Sequence, residues 1–169
     1  ALDEVISMAE QLLAAAALPS ETLGHGPPIS TSLGFVLFND DSVSPSELMR
    51  MADIAMYDAK KKGKNNISLF DEVMQQELVE EHQLTADLNR ALLTEGEIVP
   101  WFQPKVDCNG TFIGFEALAR WHHPERGMLD PFNFIGLAER KNLIVPLSDQ
   151  ILVKACEEMN RWRKQFAMD

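Results

Sequence analysis

The sequence predicts an α/β protein in two successive parts. Apolar residues recur at helical spacing in some stretches and at strand spacing in others. A long, sparsely apolar helical pattern from Asp71 to Glu95 separates the two parts, and Asn109-Gly110 stands between two extended runs as a hairpin signal.

From Leu2 to Leu18 the residues Leu2, Val5, Ile6, Ala9, Leu12, Leu13 and Ala16 mark a one-sided surface helix that Pro19 stops. After the loop PSETLGHGPP, the run Ile29 to Phe38 alternates and then turns continuously apolar, as a central strand does. Ser44, Pro45 and Glu47 form a helix start, with Ser44 as N-cap and Glu47 placed to complete a capping box. That helix is expected to bury Leu48, Met51, Ala52, Ala55, Met56 and Ala59. It carries Lys60, Lys61 and Lys62 in its last turn, where they suit the helix dipole, and ends at Gly63. The short strand NISLF follows. The Glu-rich pattern of Met74, Leu78, Leu84, Leu88 and Leu92, ended by Gly96, predicts a connecting helix about 35 Å long.

In the second part, EIVPWFQPKV is extended and interrupted by Pro100 and Pro104, which suits an edge strand. The Asn109-Gly110 two-residue turn joins it to TFIGFEALARW. Asp130 and Pro131 start a short helix through Phe134, Leu137 and Ala138. A longer helix near Pro146 is expected to bury Ile151, Leu152, Ala155, Met159 and Trp162.

Composition narrows the function. The 169 residues are 46% hydrophobic, enough for one domain or parts of two. Lys and Arg total 15 against 26 Asp and Glu, a net charge of -11. That balance disfavours a nucleic acid polymer or an anionic membrane as partner, so an anionic ligand must be held locally, by a metal or a few placed cations. The two cysteines, Cys108 and Cys156, lack zinc or disulfide spacing, and a reducing cytoplasm is the simplest reading. No apolar run approaches the roughly 20 residues that span a bilayer. The chain begins without Met at ALDEV, and we read it as a segment of something longer.

The stretch GFEALARWHH raises the sharpest question, because Glu116 and Arg120 sit in an otherwise apolar strand and unpaired charges are costly to desolvate. Glu116, Leu118 and Arg120 share one strand face, while Phe115, Ala117, Ala119 and Trp121 share the other. The two charges lie about 13 Å apart along the strand, so each needs its own partner. A carboxylate suits a divalent cation and a guanidinium suits phosphate. Spacing alone leaves two readings open: the floor of a phosphate-ester site, or charges that cap the sheet end through backbone and solvent contacts.

The run WFQPKVDCNGTFIGFEALARWHHPERG, followed by PFNFIGLAERKNLIVPLSDQILVKAC, resembles the opening of EAL domains, the bacterial cyclic di-GMP phosphodiesterases. The matching features are Gln103-Pro104, Glu116-Ala117-Leu118 with Arg120, Trp121-x-His123-Pro124, and Phe134-Ile135 with Ala138-Glu139. The resemblance implies a TIM-type barrel in which Mg²⁺ or Mn²⁺ activates water for attack on one phosphodiester bond, giving linear pGpG. It further implies Glu116 as catalytic metal ligand, Arg120 on a phosphate oxygen, and Gln103 and Leu118 lining the nucleotide pocket. His122 and His123 would fall in a loop after the strand; as neighbours on extended chain they point apart, so we read them as structural.

The first part, ISTSLGFVLF through ADIAMYDAKKKGKNNISLFD, resembles the C-terminal half of a GGDEF, or diguanylate cyclase, domain. The resemblance implies that Lys60 and Lys64 contact the triphosphate of GTP, with Gly-Lys-Asn at Gly63 to Asn65 where that family usually has Gly-Arg-Asn. A solvated helix end is the other reading of these lysines. The GGDEF signature loop and the later EAL acids do not occur in the 169 residues. The expected fold is therefore a partial GGDEF α/β sheet with helices (1–70), a connecting helix (71–96), and the first strands and helices of an EAL-type TIM barrel (97–169), both domains truncated. The parent is expected to be a cytoplasmic homodimer, membrane-anchored if an upstream region so provides. It is expected either to hydrolyse cyclic di-GMP or to bind it as a catalytically silent receptor, cyclase activity being the weakest of the three readings. The segment alone is expected to be inactive.

Overall fold

A computed structural model describes residues 2–16, 31–39, 42–63 and 65–166. Two compact units divide the chain, Ala1–Glu80 and Glu81–Asp169, and the division falls inside a helix. No described helix is long and apolar enough to cross a membrane.

In the first unit, α1 (Leu2–Ala16) matches the helical spacing. The run expected as a strand from Ile29 to Phe38 contributes only β1 (Leu33–Phe35), with Ile29 and Ser30 outside the described residues. β1 pairs in parallel with β2 (Ile67–Leu69), and a partner of three residues supports only three rungs. Between them runs α2 (Pro45–Lys61). Ser44 caps it, its Oγ accepting from the Glu47 amide at 3.2 Å. The capping box is half made, because the Glu47 carboxylate turns to Arg50 instead, at 2.6 Å and 2.9 Å. Exposed water leaves the cap amide a partner, so a bidentate guanidinium wins the carboxylate.

Helix α2 lies directly on β1. A β-carbon at Gly34 would come within 2.0 Å of the Met56 nitrogen and 2.3 Å of the Ala52 oxygen. The residues α2 buries fully are Ile54, Ala55 and Ala59, whereas Leu48, Met51, Ala52 and Met56 are half-buried. Small side chains at the contact are what so close an approach requires. Below them Asp58 accepts from Ser68 Oγ at 2.5 Å and pairs with Lys62 at 2.7 Å. Partial burial pushes the Asp58 carboxyl up, but the Lys62 and Ser68 bonds outweigh it and hold the group below its ordinary value.

Helix α3 (Glu72–Ala91) spans 20 residues, about 30 Å. In the second unit β3 (Ile98–Val106), β4 (Phe112–His123) and β5 (Gly127–Leu129) form an antiparallel sheet in the order β3-β4-β5. β3 is an edge, which is how it tolerates Pro100 and Pro104. The three-residue β5 left no periodic signal to find. Two helices follow, α4 (Pro131–Arg140) and α5 (Ile144–Phe166), the latter starting two residues before Pro146, which its first turn accommodates.

The core of this unit gathers Leu88, Ala91, Ile98, Trp121, Phe134, Ala138 and Leu147. Trp121 meets Phe134 edge-on at 5.6 Å and donates its indole N–H to Glu97 at 3.3 Å. On α5 the buried residues are Leu147 and Ala155; Leu152, expected inside, is 63% exposed because it lies one step round the helix from Ile151.

Candidate functional site

The loop joining β3 to β4 decides which side chains share a face. Asp107 accepts at Oδ1 from the amides of Asn109 and Thr111, at 2.9 Å and 2.8 Å, and its carbonyl accepts from the Gly110 amide at 3.0 Å. Gly110 has a φ of 82° while Asn109 does not reach positive φ, so this is a three-residue loop ending in a left-handed glycine, not the expected Asn-Gly two-residue turn. Val106 pairs with Phe112 but Lys105 pairs with Gly114, so Ile113 is left over as a bulge beside Gly114, whose φ is 146°.

Beyond the bulge the ladder sets Gln103 opposite Glu116, Trp101 opposite Leu118 and Val99 opposite Arg120. Directly opposed residues share a face. The other face packs on α5, with Phe102 and Phe115 edge-on to Trp162 at 4.7 Å and 5.5 Å. Gln103, Glu116, Leu118 and Arg120, the four residues singled out from the sequence, therefore stand together on the face turned away from that aromatic cluster.

Arg120 is the most constrained of them. Its Nε lies 3.2 Å from Asp130 Oδ1, its Nη1 donates to the Ala119 carbonyl at 2.8 Å, and its guanidinium carbon sits 5.4 Å from the centre of the Trp101 ring. The Asp130 contact is an ion pair, not an aligned hydrogen bond, so of the five N–H donors of the arginine only the one on the Ala119 carbonyl is spent and four remain for an anion. Glu116 is exposed, and no hydrogen bond or ion pair joins it to another described residue. Its carboxylate and the facing Gln103 amide are hard oxygen donors of the kind Mg²⁺ or Mn²⁺ prefers. Among the described residues no three His, Cys, Asp or Glu gather as a metal cluster, and Glu116 offers a single carboxylate.

Lys60 is exposed in the last turn of α2, and Lys64 lies outside the described residues. His122 and His123 belong to β4 rather than to a following loop, because β5 extends the ladder with His122 opposite Met128 and His123 opposite Gly127. His123 is buried and structural. Its Nδ1 accepts from the amides of Glu125 and Arg126, both at 3.1 Å, which places the ring proton on Nε2. Nε2 is 3.2 Å from Asp87 Oδ2, a Coulombic contact that is not aligned as a hydrogen bond. Glu139 stands exposed on α4 and His82 on α3; His25 lies outside the described residues.

Sequence reasoning passed over two residues of this face. Trp101 carries a usable signal, since it precedes Gln103 by two on the same strand and so shares its side. Asp130 was legible only as a helix start.

Residues 1–66 match the diguanylate cyclase GGDEF domain, and residues 85–169 match the EAL domain. The chain belongs to the GGDEF–EAL family. Among curated proteins, this GGDEF–EAL chain is 39% identical over 160 residues to the bifunctional diguanylate cyclase/cyclic di-GMP phosphodiesterase MucR of Pseudomonas aeruginosa, covering 94% of this chain and 23% of that protein. It is 35% identical over 134 residues to the cyclic di-GMP phosphodiesterase PdeR of Escherichia coli, covering 79% of this chain and 20% of that one. The chain thus spans about a fifth of the length of these relatives. A solved structure of the PaMucR phosphodiesterase in complex with c-di-GMP is 43% identical, covers 49% of this chain and 34% of its own, and superposes with a TM-score of 0.45.

Proposed function

We propose that this GGDEF–EAL chain supplies the opening part of a cyclic di-GMP phosphodiesterase site, and that the whole protein cleaves cyclic di-GMP to linear pGpG. The observation that carries the reading is the shared face of Gln103, Glu116, Leu118 and Arg120 across β3 and β4. The spare donors of Arg120 take a phosphate oxygen of the ligand. Gln103 and Leu118 line the nucleotide pocket, one by polar contact and the other by apolar contact. Glu116 holds a divalent cation, Mg²⁺ or Mn²⁺, which when bound neutralises phosphate charge and activates water. In the reaction a water oxygen bonds to phosphorus, one P–O ester bond breaks, and the departing ribose oxygen takes up a proton.

In the first unit Lys60 and Lys64 are assigned to the triphosphate of GTP, residues 71–96 to the connecting helix, and the whole protein to a cytoplasmic homodimer. Incubation of the full-length protein with cyclic di-GMP and Mn²⁺ tests the main reading: pGpG is the expected product. Tight binding without turnover would replace the hydrolase with a cyclic di-GMP receptor, and absence of binding would remove both.

A further inference from the structure

We infer that Asp130 is a positioning residue that aims the guanidinium of Arg120 at the ligand phosphate; the inference rests on the phosphate role of Arg120 proposed above. Asp130 occupies the N-cap position of α4 with extended dihedrals, φ −77° and ψ 158°, where an aspartate ordinarily accepts from the amides of the first turn. Its side chain makes no such bond. The helix start is closed instead through the backbone, the Asn133 amide donating to the Asp130 carbonyl at 2.9 Å. The carboxylate instead forms an ion pair with Arg120, its Oδ1 lying 3.2 Å from Nε.

That contact completes a three-sided hold on one side chain. Asp130 takes the Nε edge, the Ala119 carbonyl takes Nη1 and Trp101 covers a ring face, so the planar group keeps one orientation with its Nη2 donors unspent. Arg120 is only 17% exposed, whereas Asp130 is 69% exposed. The aspartate therefore has solvent available and is ordered by the arginine it serves. Without it, rotation about the last bonds of Arg120 returns, and binding a phosphate must order the guanidinium again.

The test uses the full-length protein and calorimetric binding of cyclic di-GMP in EDTA, so that turnover is stopped. Serine caps a helix as well as aspartate but is too short to reach Nε, so Asp130→Ser is expected to keep the melting temperature and weaken binding about tenfold. Asp130→Glu retains the carboxylate charge of the ion pair and is expected to recover affinity to within about threefold of the parent. In an Arg120→Ala background, Asp130→Ser should have no further effect, since it acts through the arginine. Equal or tighter binding by Asp130→Ser, or an undiminished effect without Arg120, overturns the inference. Failure of the parent to bind cyclic di-GMP strikes the proposed function instead, a result that the variant series separates from the role of Asp130.

Discussion

Gln103 faces Glu116 across the β3–β4 ladder because the ladder takes up one extra residue, Ile113, next to Gly114. Continued without that bulge, the pairing of Val106 with Phe112 would bring Gln103 opposite Phe115 and turn the glutamine to the aromatic side. Only glycine adopts φ 146° without strain. Gly114→Ala is therefore expected to cost about 1–3 kcal/mol of stability and to lower cyclic di-GMP affinity together with it. Urea unfolding and binding calorimetry check both; a variant of unchanged stability and affinity would show that the register does not depend on this glycine.

Glu116 itself is exposed and has no partner among the described residues, so removing its charge should leave the fold alone. Glu116→Gln is expected to leave the melting temperature within about a degree while lowering pGpG formation by about 100-fold or more, since even residues that merely support metal ligands are worth 10–100-fold. Retained turnover at parental rate would remove this side chain from the metal site.

In the first unit the close seating of α2 on β1 leaves no room at Gly34. Gly34→Ala places a methyl group 2.0 Å from a backbone nitrogen, which only a shift of the helix can relieve. Overpacking of this kind costs about 1–3 kcal/mol or more. Faster amide hydrogen exchange in α2, β1 and β2 is the expected sign, with the β3–β4 amides unchanged; unaltered exchange in α2 would refute the tight fit.

Asp87 predicts a pH dependence. Partial burial pushes its carboxyl up, but contacts with Gln83, His123 and Arg90 outweigh that and hold it below its ordinary value. A carboxyl whose pKa is lower in the folded state stabilises the fold fully above its unfolded value of about 3.9, and that stabilisation disappears as pH falls through the folded value. Stability should therefore decline below about pH 4, and Asp87→Asn should flatten the decline. Denaturant midpoints between about pH 2.5 and 6 measure it; an equally steep decline in the variant would assign the dependence to other acids, Asp58 and Asp107 first, whose carboxyls are likewise held low.

The helix starts at Ser44 and Asp130, the strand faces of Glu116 and Arg120, and the edge character of β3 could all be taken from local order, because caps, period-two alternation and proline act over a few residues. The burial of Ile54 and the exposure of Leu152 could not, since they depend on which side of a helix meets a neighbour distant in sequence. Asp130 is a fair measure of the difference: its place at a helix start was legible, its service to Arg120 was not. By itself the sequence determined the family and which side chains share one strand face. Tertiary structure alone decided what stands opposite them, because a single bulged residue resets the pairing and with it every cross-strand neighbour of the site.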